Sequence, residues 1–118
     1  MASSIVKALI IPAGRAAAPR VEAVAGDLRT LRGLVGGDIE AAVFGSAHVY
    51  LNAEGKILGL KANPHASFLL LEAGAAVCDL FVGDAVFLGS TPDGAEADVP
   101  AELLRIAEDY FETELPVA

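Results

Sequence analysis

Two carboxylates at strand spacing, Asp38 and Glu40, follow a pair of glycines, Gly36 and Gly37, in the segment LVGGDIE. Residues two apart on a strand project to the same face, so this pair could hold a cation or divide acid and base roles. Glycines ahead of a strand could turn backbone N–H groups toward an anion. The plainer reading of the same positions is a helix stop followed by a strand with an acidic outer face. Glu54 lies in Asn52-Ala53-Glu54-Gly55; turn chemistry accounts for Asn52 and for a positive φ at Gly55, but not for Glu54. Asn63-Pro64-His65 reads as a helix start with Asn63 as cap. The helix N-terminus disfavours protonation of His65, and a neutral imidazole could serve as ligand or base, although surface polarity is the simpler role. His48 and Tyr50 share a face at period two and are expected to be a packed cross-strand pair. Asp79 and Asp84, beside the turn at Gly83, are placed to anchor loops by accepting backbone N–H bonds.

The common catalytic signatures are missing. There is no GxxxxGK followed by Ser or Thr, no GxGxxG after a strand, no HExxH, no CxxC and no GxSxG. Cys78 is the single cysteine, set in AAVCDLFV, so no internal disulfide can form. It reads as a buried, inert thiol in a reducing compartment. The formal net charge of −8 opposes direct nucleic-acid binding, because a basic footprint is lacking. The acids are dispersed, so solubility explains them better than mimicry of DNA. No export signal is expected from MASSIVKALIIP. The apolar stretch 66–89 holds Glu72, Asp79 and Asp84. A central acid costs about 2.5–3.5 kcal/mol on insertion, against roughly 0.3–0.6 returned by each Leu, Ile, Phe or Val. Buried strands, not a membrane span, are therefore expected there.

The elements that must position these groups follow from periodicity. IVKALII (residues 5–11) is a short β-branched run ended by Pro12 and Gly14, and reads as a central strand. Val21–Val24 is a short extended piece. Asp27 caps a helix carrying Leu28, Leu31, Leu34 and Val35 on one face, which stops at Gly36-Gly37. Asp38–Phe44 is a strand broken by Gly45-Ser46. Ala47–Leu51 and Lys56–Leu60 are read as a hairpin around Asn52–Gly55. A helix runs from Asn63-Pro64 to about Gly74. Val77–Phe81 and Ala85–Leu88 are strands, Ser90–Asp98 a polar loop, and Pro100 opens a last amphipathic helix before a frayed tail. At 118 residues, with 54% apolar composition, the chain is one domain that buries roughly two thirds of its unfolded surface. The predicted class is α+β, with a mixed or mostly antiparallel sheet and about three helices in the order β-α-β-β-β-α-β-β-α.

Leu34, Val35, Gly36, Gly37, Ile39 and Glu40, then Asn52, Glu54 and Gly55, then Asn63 and Ala66, then Val82, Gly83 and Asp84 form an ordered series of short segments. The series resembles a family of small proteins of unknown function from tailed phages, plasmids and actinobacterial genomes. That family's turn usually carries an acid directly after its Asn, where this chain has Ala53. The resemblance spans the chain to about Leu88 and implies a mobile-element accessory protein with no catalytic residues to carry over. The leading expectation is a non-enzymatic cytoplasmic binding or interaction protein, host-modulating or anti-defence in kind, without metal or cofactor. Its expected partners are a second copy, a host protein, or a small anionic ligand at Gly36, Gly37, Asp38, Glu40, Glu54 and Asn63. The alternative is a small hydrolase or metal-dependent enzyme using Asp38 and Glu40. An acidic DNA mimic is the third reading.

Overall fold

A computed structural model describes residues 5–14, 18–74 and 81–117. β1 (Ile5–Ile11), β2 (Arg20–Ala25), α1 (Leu28–Val35), β3 (Ile39–Phe44), β4 (Ala47–Asn52), α2 (Pro64–Glu72), β5 (Ala85–Ser90), β6 (Glu96–Ala97) and α3 (Ala101–Phe111) follow one another along the chain. The strands form one six-stranded sheet in the order β2-β1-β5-β4-β3, with β6 pairing β5 off that path. All the strand pairs are antiparallel. The class is α+β with three helices, as the sequence predicts.

Alternation along β1 divides the core between the two faces of the sheet. Leu9 and Ile11 join Val49, Leu51, Phe87, Leu69 of α2 and Leu103 of α3 on one face. Val6, Ala8 and Ile10 join Tyr50, Val86, Leu88 and Leu31 of α1 on the other. β5 lies between β1 and β4, and Ala85 to Leu88 are all fully buried. A strand covered on both faces has no polar side to alternate with, which is why AVFL is apolar throughout.

Side chains end the helices as their sequences require. Thr30 N–H donates to Asp27 Oδ1 at 2.7 Å, and Gly36 closes α1 in the left-handed region at φ 80°. Asn63 Oδ1 accepts from Ala66 N–H, with Pro64 at the first helical position.

Two expectations need correction. Lys56–Leu60 is a series of turns, not a strand. Leu58 N–H donates to Glu54 O at 2.8 Å and Leu60 N–H to Gly55 O at 2.9 Å. The edges of β4 are already taken by β3 and β5, so a hairpin partner at 56–60 has no edge to join. The hairpin forms instead between β3 and β4, across Gly45-Ser46, with Gly45 at φ 61°. The tail is also held. Leu115 is buried, its N–H donates to Glu108 Oε2 at 2.8 Å, and Val117 bridges Val21. The predicted strand Val77–Phe81 falls largely outside the described residues.

Past β6 the chain crosses the sheet to α3 directly over Gly89. A Cβ built on Gly89 would lie 2.4 Å from the Asp98 carbonyl oxygen. The crossing is held by Lys7 N–H donating to Asp98 Oδ1 and Val99 N–H donating to Lys7 O, both at 2.8 Å. Gly89→Ala therefore forces backbone apart and should cost about 1–3 kcal/mol, read as a lowered urea midpoint with unchanged slope.

Candidate functional site

The ordered segments singled out in the sequence meet at one end of the sheet, where β1 and β4 finish and β3 and β5 begin. Asn63 sits at its centre and is fully buried. Its Nδ2 donates to Ile11 O at 2.8 Å and to Gly83 O at 3.0 Å. Its Oδ1 accepts from Ala66 N–H, and its backbone N–H donates to Phe81 O at 2.7 Å. Both amide protons and the amide oxygen are therefore engaged inside the protein, so this side chain braces backbone and presents no face to a ligand. Asp84 adds a second brace, its Oδ1 accepting from Ala13 N–H at 2.9 Å. Asn52, also buried, donates to Val35 O at 3.2 Å and accepts from Glu54 N–H at 2.8 Å.

Gly37, Gly55 and Gly83 of these segments stand in tight spaces. Gly55 is not in the positive-φ region; a Cβ there would lie 2.8 Å from Val82 Cγ2. Its Cβ space is what the fold uses, and Gly59, at φ 69°, supplies the left-handed residue instead. Gly36 and Gly37 both donate their N–H groups to Arg32 O, at 2.9 and 3.1 Å. Those donors cap the C-terminal end of α1, whose partial charge is negative, and are not aimed at an anion.

The acids diverge. Asp38 is exposed and pairs with Arg32 Nη2 of α1 at 3.4 Å, a surface pair worth about 0–1 kcal/mol. Glu40 is opposite Leu51, on the face that α2 and α3 cover, and lines a shallow groove of about 190 Å³ with Asn52, Gly55, Lys56 and Phe81. Asp38 and Glu40 thus serve different surroundings and do not form a carboxylate pair. Glu54 is exposed on the turn, outside that groove lining. Among the described residues no group of three His, Cys, Asp or Glu side chains is placed to hold a metal ion. Cys78 and Asp79 lie outside the described residues.

His65 is not a free surface group. Its Nδ1 lies 3.1 Å from the Tyr110 hydroxyl, and its ring packs edge-on against Phe111, joining α2 to α3.

One polar cluster was not legible in the sequence. Glu96, on β6, reaches across β5 to β4. The Tyr50 hydroxyl lies 2.6 Å from both of its carboxylate oxygens and donates its proton to the carboxylate. His48 Nδ1 lies 3.3 Å from Oε1, with both side chains less than a fifth exposed. The expected His48–Tyr50 pairing is present as an edge-on ring contact. Its partner is 46 residues further on, in a two-residue strand too short to show a period. A Cβ at Gly26 would come within 3.1 Å of Glu96 Cβ, so the chain entering α1 closes over the cluster. The arrangement clamps β6 to β4 across β5.

Burial, the hydrogen bond to Glu96 and the negative charge of Glu96, in that order, push the Tyr50 hydroxyl above its usual range. The unfolded chain loses this proton near pH 10 while the folded chain keeps it. The contribution is thus complete below about pH 10 and falls as pH rises further. A phenolate absorbance step that coincides with alkaline unfolding is expected from Tyr50, and Tyr50→Phe should lower the total phenolate change by one of the chain's two tyrosines. A Tyr50 step that precedes loss of far-UV ellipticity would contradict this.

The exposed feature nearest the sheet-end groove is the edge strand β3. Its register with β4 runs unbroken from Ile39↔Asn52 to Phe44↔Ala47. Ala53 N–H donates to Asp38 O at 2.8 Å, which fixes which residues face β4. Backbone groups alternate, so Glu40, Ala42 and Phe44 bond toward β4, and Ile39, Ala41 and Val43 turn their N–H and C=O outward. No strand among the described residues pairs with that outer edge. Val43 is 64% exposed and Ile57, on the nearby turn, 85%. A second groove of about 530 Å³, lined by Val43, Phe44, Leu70, Leu103 and Ile106 among others, runs beside the same strand.

A family model described as Domain of unknown function (DUF3846) matches residues 6–113. No curated protein and no solved structure matches the chain.

Proposed function

We propose, from the premise that this chain belongs to the DUF3846 family, that it is a non-enzymatic interaction protein that binds by strand addition at β3. The outer edge of β3, which no strand among the described residues pairs, carries this reading. Among the described residues no strand pairs the outward N–H and C=O groups of Ile39, Ala41 and Val43, which stand beside the exposed Val43 side chain, the template that strand addition uses. The strand is little blunted: IEAAVF has no Pro and no Lys, Glu40 is its one charge, and its register has no bulge. The segments that first suggested a site are engaged in bracing the sheet end. Catalysis by Asp38 and Glu40 loses its geometric basis, because the two carboxylates do not share a cleft.

Of the forms an interaction protein can take, a mobile-element accessory protein acting on host machinery fits the resemblance of its ordered segments to phage and plasmid proteins. The Gly36 and Gly37 N–H groups are taken by Arg32 O and not offered to a small anionic ligand, so the polypeptide edge is the favoured surface.

Residue-resolved amide exchange tests the reading. In the dilute chain, Glu40, Ala42 and Phe44 should be protected while Ile39, Ala41 and Val43 exchange fast, and occupation of the edge should slow those three. Slow exchange of all six at every concentration would show a closed edge and contradict the proposal.

A further inference from the structure

We infer that the occupant of the β3 edge is the β3 edge of a second copy, paired antiparallel about a two-fold axis at Ala41. The inference rests on the strand-addition reading and names the partner. A two-fold axis perpendicular to the sheet reverses the strand and keeps each face on its own side, so paired residues must have the same parity. The outward groups belong to Ile39, Ala41 and Val43, which must therefore face one another. Only one register uses all three: Ile39 opposite Val43 of the partner, Ala41 opposite Ala41, Val43 opposite Ile39. The same register sets Glu40 opposite Ala42. A shift by one pair in one direction sets Glu40 against Glu40, which like-charge repulsion disfavours. A shift the other way leaves Ile39 beyond the end of the partner strand.

The side chains suit this pairing. The axis passes between alanines, which offer no bulk to clash, and the exposed Val43 gains cover from Ile39 on the face bearing α1. The edge is self-complementary in both hydrogen bonds and shape, as a two-fold interface requires. The resulting sheet would run continuously from β2 of one protomer to β2 of the other. The charge of −8 on each chain opposes approach, but within 39–44 only Glu40 is charged, and salt screens the remainder beyond about 8 Å. Association should therefore tighten as ionic strength rises to the physiological range.

Light scattering of the full chain should give the mass of two chains, falling to one in Ala41→Pro with far-UV ellipticity unchanged. Proline at 41 removes an outward N–H and leaves the β3–β4 ladder intact. In a Cys78→Ser background, Glu40→Cys with Ala42→Cys should form a linked dimer on oxidation. Opposed residues of such non-hydrogen-bonded pairs have Cα atoms about 4.5 Å apart, within disulfide reach. Linkage by Glu40→Cys alone would indicate the register in which Glu40 faces itself, and a two-chain mass that survives Ala41→Pro would move the interface elsewhere; each overturns the inference. A one-chain mass with fast exchange at Ile39, Ala41 and Val43 overturns self-pairing and leaves strand addition standing. A one-chain mass with slow exchange at those positions overturns both.

Discussion

Asn63 ties together three parts of the chain that are distant in sequence. Its Nδ2 donates to the carbonyls of Ile11, at the end of β1, and of Gly83, before β5, while its Oδ1 caps α2. A buried amide left without partners costs about 1–3 kcal/mol per group, so the arrangement is stable only with all its bonds made. With Asn63 in place, Ala62 bridges Val82 and Asp84 secures Ala13, which sets where β1 ends and where β5 begins. The central pairing of β1 with β5 adjoins that junction, with Ile11 opposite Ala85.

The same constraint explains why these segments resemble a site when read as a string. Asn, Gly and acidic residues crowded into a short stretch are what a ligand pocket would use. They are also what a sheet end needs where backbone passes close to backbone. Gly55 stands against Val82, Gly83 against Leu60 and Gly37 against the Asn52 amide. Their side-chain space is already occupied by neighbours. Binding is then left to surface that the bracing does not consume, and the β3 edge is such surface.

Much of the fold could be read from the chain because it is written in local chemistry. Asp27 and Asn63 are caps whose N–H donors lie three residues on, and Gly36 needs only its own backbone freedom. The buried strands β1 and β5 declare themselves by composition. The strand expected at Lys56–Leu60 failed for a non-local reason: β5 occupies the edge of β4 that a local hairpin would have used. The clamp of Glu96 on Tyr50 and His48 was invisible for the same kind of reason, since its members meet only once β6 lies beside β5. The tail carries no periodic signal, yet burial of Leu115 and the bond to Glu108 hold it. For the site, residue types were informative and roles were not: Asp38 and Glu40 are at strand spacing, but Asp38 precedes the strand and turns to Arg32.

The claim that the sheet end is a brace rests most directly on Asn63. Asn63→Asp keeps the shape and replaces the donor facing two carbonyls with an acceptor. Urea unfolding should show a loss of at least about 3 kcal/mol, because two buried carbonyls lose their donor and a carboxylate is buried among them. A variant within about 0.5 kcal/mol of the parent chain would contradict the account, since a change that small is typical of a surface position.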